Sequence, residues 1–228
     1  MVFASLCVNC FAKGADMCIF AKMFGHRYLL IDSATPTIQV ILVDGETILA
    51  SKAYGGNAVD GITVALEELL LKTHRVLDDF DGMIYCGGPG SSLGLRIALA
   101  SINTWMIFGN RDFKLMTYDA LDMGIRLNQG APMVCTYGVG DNLIVRARDG
   151  RTIKISTIDG LDFGDGILFL DTRRVRCEKY QKFPPASYDI ATANFDILSL
   201  CEVANGELKN YGGGNYKKWS GNPMEDGR

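Results

Sequence analysis

The sequence predicts an α/β protein of two lobes, each a mixed sheet flanked by helices, and three observations predict it. From Tyr28 the chain reads YLLIDSATPTIQVILVDGETILASKAY, three β-rich runs parted by Ala34-Thr35-Pro36 and by Asp44-Gly45, and Asp-Gly between alternating apolar runs is a hairpin signal. Helical and strand-like periodicities then alternate up to Leu127, which builds a mixed sheet covered by helices. After Asn128-Gln129-Gly130-Ala131-Pro132, where Gly and Pro mark a hinge, a second series of short strands begins.

The first three runs form an antiparallel meander. Residues 59–74 follow helical spacing, with Ile62, Ala65, Leu66 and Leu69 on one face and Leu70 and Leu71 partly on another. A strand ends at Cys86, a helix covers 93–108, a strand covers Phe113 to Thr117, and a helix lies near Tyr118 to Leu127. This βββαβαβα order argues for a mixed sheet covered by helices. In the second unit, strands are predicted at Met133 to Tyr137, Leu143 to Arg148 and Thr152 to Thr157, the last pair joined by Asp149-Gly150. A short buried strand at Ile167 to Leu170 and a final helix at Ile190 to Val203 complete it. The expected division is an N-terminal extension over 1–26, a first lobe over 27–127, and a second lobe over 128–228 that ends in a turn-rich tail.

With 228 residues, 48% of them hydrophobic, the chain can form one large or two small cores. Its 23 basic and 26 acidic residues leave a net charge of -3, and its densest basic run is Arg173-Arg174 with Arg176. Unaided binding to nucleic acid is therefore not suggested. No apolar run approaches the roughly 18 to 20 residues of a membrane-spanning helix. Seven cysteines scattered through apolar segments read as free thiols in a reducing compartment, which makes a cytoplasmic location the expectation. Residues 1–26 lack the positive start of a signal peptide, and the spacing of Cys7, Cys10, Cys18 and His26 fits no familiar zinc site.

The stretch DGMIYCGGPGSSLGLRIALA, Asp81 to Ala100, runs from an apolar strand through a glycine-rich turn into a helix. Gly87, Gly88 and Gly90 surround Pro89, and Ser91 or Ser92 can cap the helix. Such a turn is either a tight strand-to-helix joint or an anion cradle. A P-loop would need Lys where Leu95 stands, and a dinucleotide fingerprint would need Gly at Leu93. Gly90-Ser91-Ser92-Leu93-Gly94 meets the nucleophile-elbow pattern, but His26 and His74 both precede Ser92, against the order that fold requires.

Cys86-Gly87-Gly88-Pro89-Gly90-Ser91-Ser92-Leu93-Gly94-Leu95-Arg96-Ile97-Ala98 resembles the signature of the TsaB (YeaZ) family, roughly G-x-G-P-G-S-[FL]-T-G-[LI]-R-[IV]-[GA]. Ile31-Asp32-Ser33-Ala34-Thr35 resembles the I-D-T-[SA]-T opening strand of that family, and the resemblance spans residues 28–126. It implies the actin-like ATPase superfold, glycoprotease M22-like, with two RNase-H-like lobes. It also implies a non-catalytic scaffold subunit in the cytoplasmic synthesis of threonylcarbamoyladenosine in tRNA. Such a subunit pairs with a TsaD-like transferase, works with a TsaE-like ATPase, and meets tRNA only through the complex; a homodimer is the alternative pairing. Where the family carries D-A-R-x-x-[EQ]-[VI]-[YF], this chain has Tyr137-Gly138-Val139-Gly140-Asp141. The competing readings are a small-molecule kinase or hydrolase of the same superfold, and a homodimeric regulatory module.

Helix 93–108 is apolar nearly all round, and a helix lying on one sheet face needs only one apolar stripe. The surplus is covered either by the second lobe or by a partner. Because the resembling family pairs through these two helices, Ile62, Ala65, Leu66, Leu69, Leu95, Leu99, Ile102 and Trp105 are the expected interface residues. At the turn, Gly88, Gly90, Ser91 and Arg96, with Asp32 at the strand end, are the candidates for structural hydrogen bonding or anion contact. No catalytic residue, metal site or cofactor is expected: neither His26 nor His74 has a partner at H-x-x-x-H spacing, and residues 33–37 after Asp32 contain no glycine. Cys86 is expected to pack as a small hydrophobe.

Overall fold

Period-two burial organises the first sheet. In β1 (Arg27–Asp32), Tyr28 and Leu30 enter one core while Leu29 and Ile31 enter another, so the strand is apolar on both faces as a central strand must be. The computed structural model describes residues 27–109, 114–138, 142–155, 166–170 and 184–208. β2 (Thr37–Asp44) and β3 (Thr47–Gly55) complete the antiparallel meander. α1 (Ala58–Thr73) opens on Asn57, whose Oδ1 accepts the Asp60 amide at 3.0 Å and whose Nδ2 donates to the Asp60 carboxylate at 3.0 Å. It ends on His74, which takes the left-handed conformation at φ 52°.

β4 (Gly82–Cys86) and β5 (Lys114–Tyr118) then add in parallel beside β1, with α2 (Ser92–Gly109) between them in sequence. α3 (Ala120–Leu127) follows, capped by Asp119, which accepts the Leu121 amide at 2.8 Å. The second sheet repeats the first on a smaller scale. β6 (Met133–Tyr137), β7 (Leu143–Ala147) and β8 (Thr152–Ile155) form an antiparallel meander, and β9 (Ile167–Phe169) pairs in parallel with β6 on its other side. The result is an α/β protein with two mixed sheets of RNase-H-like strand order, β5-β4-β1-β2-β3 and β8-β7-β6-β9.

α1 and α2 cover one face of the first sheet, where Ile62, Ala65, Leu69 and Ile102 meet Leu29, Ile31, Val40 and Tyr85. On the opposite face, α3 shares a single cluster with both sheets, in which Tyr28, Leu30 and Met116 join Val134 and Ile144 through Leu121 and Ile125. Arg146 on β7 adds a polar tie, reaching the buried Asp119 carboxylate at 2.8 Å.

The predicted helix at Ile190 to Val203 does not form. Two 3₁₀ turns, Ile190–Thr192 and Ile197–Leu200, stand in its place, followed by β10 (Glu202–Val203), which joins the edge of the first sheet beside β5. Asp189 and Asp196 each accept an amide two residues on, at 3.1 Å from Ala191 and 2.8 Å from Leu198, and this local bonding competes with continued helix. Smaller differences concern element ends: β7 stops at Ala147, β8 is described to Ile155, and α3 starts after its Asp119 cap. The cysteines of residues 1–26, the tail beyond 208 and residues 139–141 lie outside the described residues.

Candidate functional site

β1, β4 and β5 run parallel, so their carboxyl ends bring Asp32, Cys86 and Tyr118 to one place, the edge where open α/β sheets hold their ligands. Here that place is closed. Asp32 is completely buried. Its Oδ1 accepts the Ala34 amide at 2.9 Å, and its Oδ2 accepts the Tyr188 hydroxyl at 3.0 Å and the Tyr118 hydroxyl. Burial pushes the Asp32 carboxyl up from the ordinary carboxylate value, against the opposing pull of Tyr118, the Ala34 amide and Tyr188. Burial first, and the neighbouring Asp32 charge second, also raise Cys86, Tyr118 and Tyr188. The two phenols therefore remain donors, and Cys86 remains a thiol with little nucleophilic character.

The glycine-rich turn is built as a joint beside this cluster. The Gly87 amide donates to the Tyr118 carbonyl at 2.9 Å, and the Ser91 amide donates to the Ala34 carbonyl at 2.8 Å. The Gly88 carbonyl accepts the Ala120 amide at 2.9 Å. Ser91 Oγ accepts the Gly94 amide at 3.3 Å and so caps α2. Gly88 needs its positive φ of 106°. Gly90 is glycine for a different reason, because a Cβ there would lie 2.6 Å from the Ala34 carbonyl oxygen. The turn amides of Gly87 and Ser91 are thus bonded within the chain rather than turned to an anion, and Arg96 sits on the exposed side of α2.

Tyr188 arrives from the far end of the chain. Asn128 ties the segment down, with Nδ2 donating to the Ser187 carbonyl at 2.8 Å and Oδ1 accepting its amide at 2.9 Å. Gln39 on β2 grips the next residues, its Nε2 donating to the Tyr188 carbonyl at 2.7 Å and its Oε1 accepting the Ile190 amide at 2.8 Å. Sequence reasoning missed Tyr118, Tyr188 and Gln39. The order of strands could have placed Tyr118 at a parallel-strand end, but no local pattern links Tyr188 to a carboxylate 156 positions earlier.

The helical face needs a correction. Ile62, Ala65, Leu69 and Ile102 are buried inside the chain and Leu66 and Leu95 nearly so; of the expected interface set, Leu99 and Trp105 are the partly exposed members. The apolar spacing marks a buried face correctly, and here that face meets the sheet. The outer apolar residues are others: Leu71 and Leu93 at 69% exposure, Ile107 at 76% and Phe108 at 84%. Between α1 and Trp105 of α2 lies a groove of about 380 Å³, lined also by Thr63, Leu66, Glu67, Leu70, Leu71, His74 and Arg75.

Among the described residues no group of three or more His, Cys, Asp or Glu side chains could hold a metal ion, and no helix is long and apolar enough to cross a membrane. YeaZ from Pseudomonas aeruginosa superposes with a TM-score of 0.50 over 63% of this chain and 75% of its own, at 17% identity. The chain has the YeaZ fold. A second Pseudomonas aeruginosa structure, an uncharacterized protein with similarity to peptidase YeaZ, gives the same TM-score of 0.50 at 16% identity, covering 63% of this chain and 74% of that one. At such identities the likeness to YeaZ is one of fold. No family model and no curated protein matches the sequence.

Proposed function

We propose that this chain is a TsaB-like, non-catalytic scaffold subunit of a cytoplasmic complex that makes threonylcarbamoyladenosine in tRNA. The YeaZ fold and the two signature stretches at Ile31 to Thr35 and Cys86 to Ala98 support the reading. The observation that carries it is the closure of Asp32. An enzyme of this superfold needs its strand-end acid open to nucleotide phosphates, whereas Asp32 lies buried under Tyr118 and Tyr188. The work of such a chain is done by its surface. A TsaD-like transferase supplies the chemistry, a TsaE-like ATPase completes the assembly, and tRNA is met only through the complex. The outer apolar residues of the two helices, Leu71, Leu93, Ile107 and Phe108, are the contact side chains.

Co-purification from the native host, followed by mass spectrometry of bound proteins and sedimentation, tests this. The wild type is expected to carry a TsaD-like protein, and Ile107→Glu is expected to release it. An unpaired carboxylate buried in an interface costs several kcal/mol, and each ~1.4 kcal/mol is tenfold in affinity. The isolated chain is expected to hydrolyse neither ATP nor peptides above background. Turnover that disappears in Asp32→Asn would sink the scaffold reading, and so would a wild type that remains alone with and without a TsaD-like protein.

A further inference from the structure

We infer that the groove between α1 and Trp105 binds a small apolar zwitterion, either an apolar α-amino acid or a short apolar peptide with free ends. Its carboxylate meets Arg75, its ammonium meets Glu67, and its apolar body lies against Leu70, Leu71 and Trp105. The charges carry the assignment, because a charged group drawn partly out of water is ordinarily paired. Three arginines are half-buried among the described residues. Arg27 reaches the Asp44 carboxylate at 3.2 Å and Arg146 reaches the Asp119 carboxylate at 2.8 Å. Arg75, which lines the groove, has no side-chain partner among the described residues. Glu67 stands likewise: its neighbour Glu68 pairs with Lys52, while Glu67 pairs with no described residue.

The fold fixes how far apart the two charges stand. Thr63, Leu66, Glu67, Leu70, Leu71 and His74 recur at intervals of three and four and so share one stripe of α1. His74 ends the helix in the left-handed conformation, and the Arg75 amide donates back to the Leu70 carbonyl at 3.0 Å, which folds Arg75 onto the last turn. Leu70 lies about one turn, roughly 5 Å, past Glu67 along the axis. Carboxylate and guanidinium do not pair with each other, yet one small molecule spans them. The volume of about 380 Å³ falls within the range of small-molecule sites, about 300 to 1,000 Å³. A wholly apolar ligand would leave both charges unpaired, and a simple anion would set its own charge against Glu67. A zwitterion answers both, and the planar guanidinium fork matches a carboxylate. The inference does not rest on the scaffold reading, although Leu71 belongs to both surfaces, so an occupied groove would compete with a partner there.

The test keeps the chain whole. The protein has two tryptophans, so Trp219→Phe leaves Trp105 as the sole reporter. Its emission is followed while L-leucine or L-leucyl-L-leucine is added, and again with N-acetyl-L-leucine and L-leucinamide, each of which lacks one charge. Sedimentation and thermal melting are measured on the same samples. The expected result is a saturable change with a free zwitterion at unchanged mass, and whichever of leucine and dileucine saturates first identifies the source. Blocking either charge of the ligand, or introducing Arg75→Gln or Glu67→Gln, is expected to weaken binding about ten- to a hundredfold. In Glu67→Gln, acetylation of the ligand should cost nothing further, since the ammonium has already lost its partner. No saturable change with either free zwitterion would overturn the inference. So would equal binding of the blocked ligands, which would show a general apolar surface, or a change that comes with a rise in mass. Should Arg75→Gln melt differently from the parent chain, the leucinamide comparison reads the same contact without a substitution. No partner protein enters these measurements, so their failure leaves the scaffold reading to its own co-purification.

Discussion

Asp32 shows how environment alone assigns a side chain its role. A strand-end aspartate in water is a solvated anion, whereas this one is held by two phenols and a backbone amide in a buried cluster. Since burial raises its folded pKa above the unfolded value of about 3.9, the native state holds the proton more tightly than the unfolded chain. The stabilisation from this group is therefore complete below that value and is lost as pH rises through the raised folded pKa. Asp32→Asn removes the titration. The stability of the wild type relative to the variant is expected to fall as pH rises from about 4, and chemical denaturation across the acidic range measures it. A difference that stays constant with pH would refute the assignment. Tyr188→Phe, which deletes one donor to the same oxygen, is expected to cost about 1 to 2 kcal/mol. An unchanged denaturation midpoint would show that the hydroxyl contributes nothing.

At the scale of elements, the start of α2 sets two effects of opposite sign against each other. Gly94 lies in the first turn of a helix, where replacing glycine by alanine ordinarily gains about 1 kcal/mol. A Cβ at this position, however, would lie 2.4 Å from the Ser33 carbonyl oxygen, a backbone atom that cannot swing away. Overpacking of that kind costs about 1 to 3 kcal/mol and should win. Gly94→Ala is expected to lower the melting temperature, while a variant more stable than the wild type would mean that the joint between α2 and the loop after β1 is looser than its contacts indicate. The two helices also show why an apolar stripe is ambiguous. Periodicity reports that a face is buried, but it does not report whether sheet or partner buries it, and the inner residues Ile62, Ala65 and Ile102 meet the sheet.

Across the whole molecule, residues 184–208 tie the two sheets together. Pro184 accepts the Phe169 amide at 2.9 Å at the edge of the second sheet, Asn128 and Gln39 clamp Ser187 to Ile190, and β10 ends beside β5 in the first sheet. Asn128→Ala with Gln39→Ala removes four of these hydrogen bonds. At about 0.5 to 1.5 kcal/mol each, the pair is expected to cost on the order of 2 to 6 kcal/mol and to speed hydrogen exchange over 185–203 before the rest of the chain. Uniform exchange across the chain would show instead that the segment opens only with global unfolding.

What the sequence by itself determined is what short-range physics governs. Asp44-Gly45 sets a hairpin, two-residue alternation sets the meander, and the spacing of Ile62, Ala65, Leu66 and Leu69 sets α1 and its buried face. The glycine-rich turn and its serine cap also depend on neighbours a few positions apart. The tertiary structure alone decided what meets across long stretches of chain. It placed Tyr188 on Asp32, turned the inner helical residues toward the sheet, and drew Glu202 and Val203 out of a predicted helix onto the edge of β5. The physical reason is common to all three. Local patterns reveal that an apolar or polar group needs a partner, but the partner's identity is set by packing between distant segments, where burial and paired hydrogen bonds outweigh the modest propensities of a short run of residues.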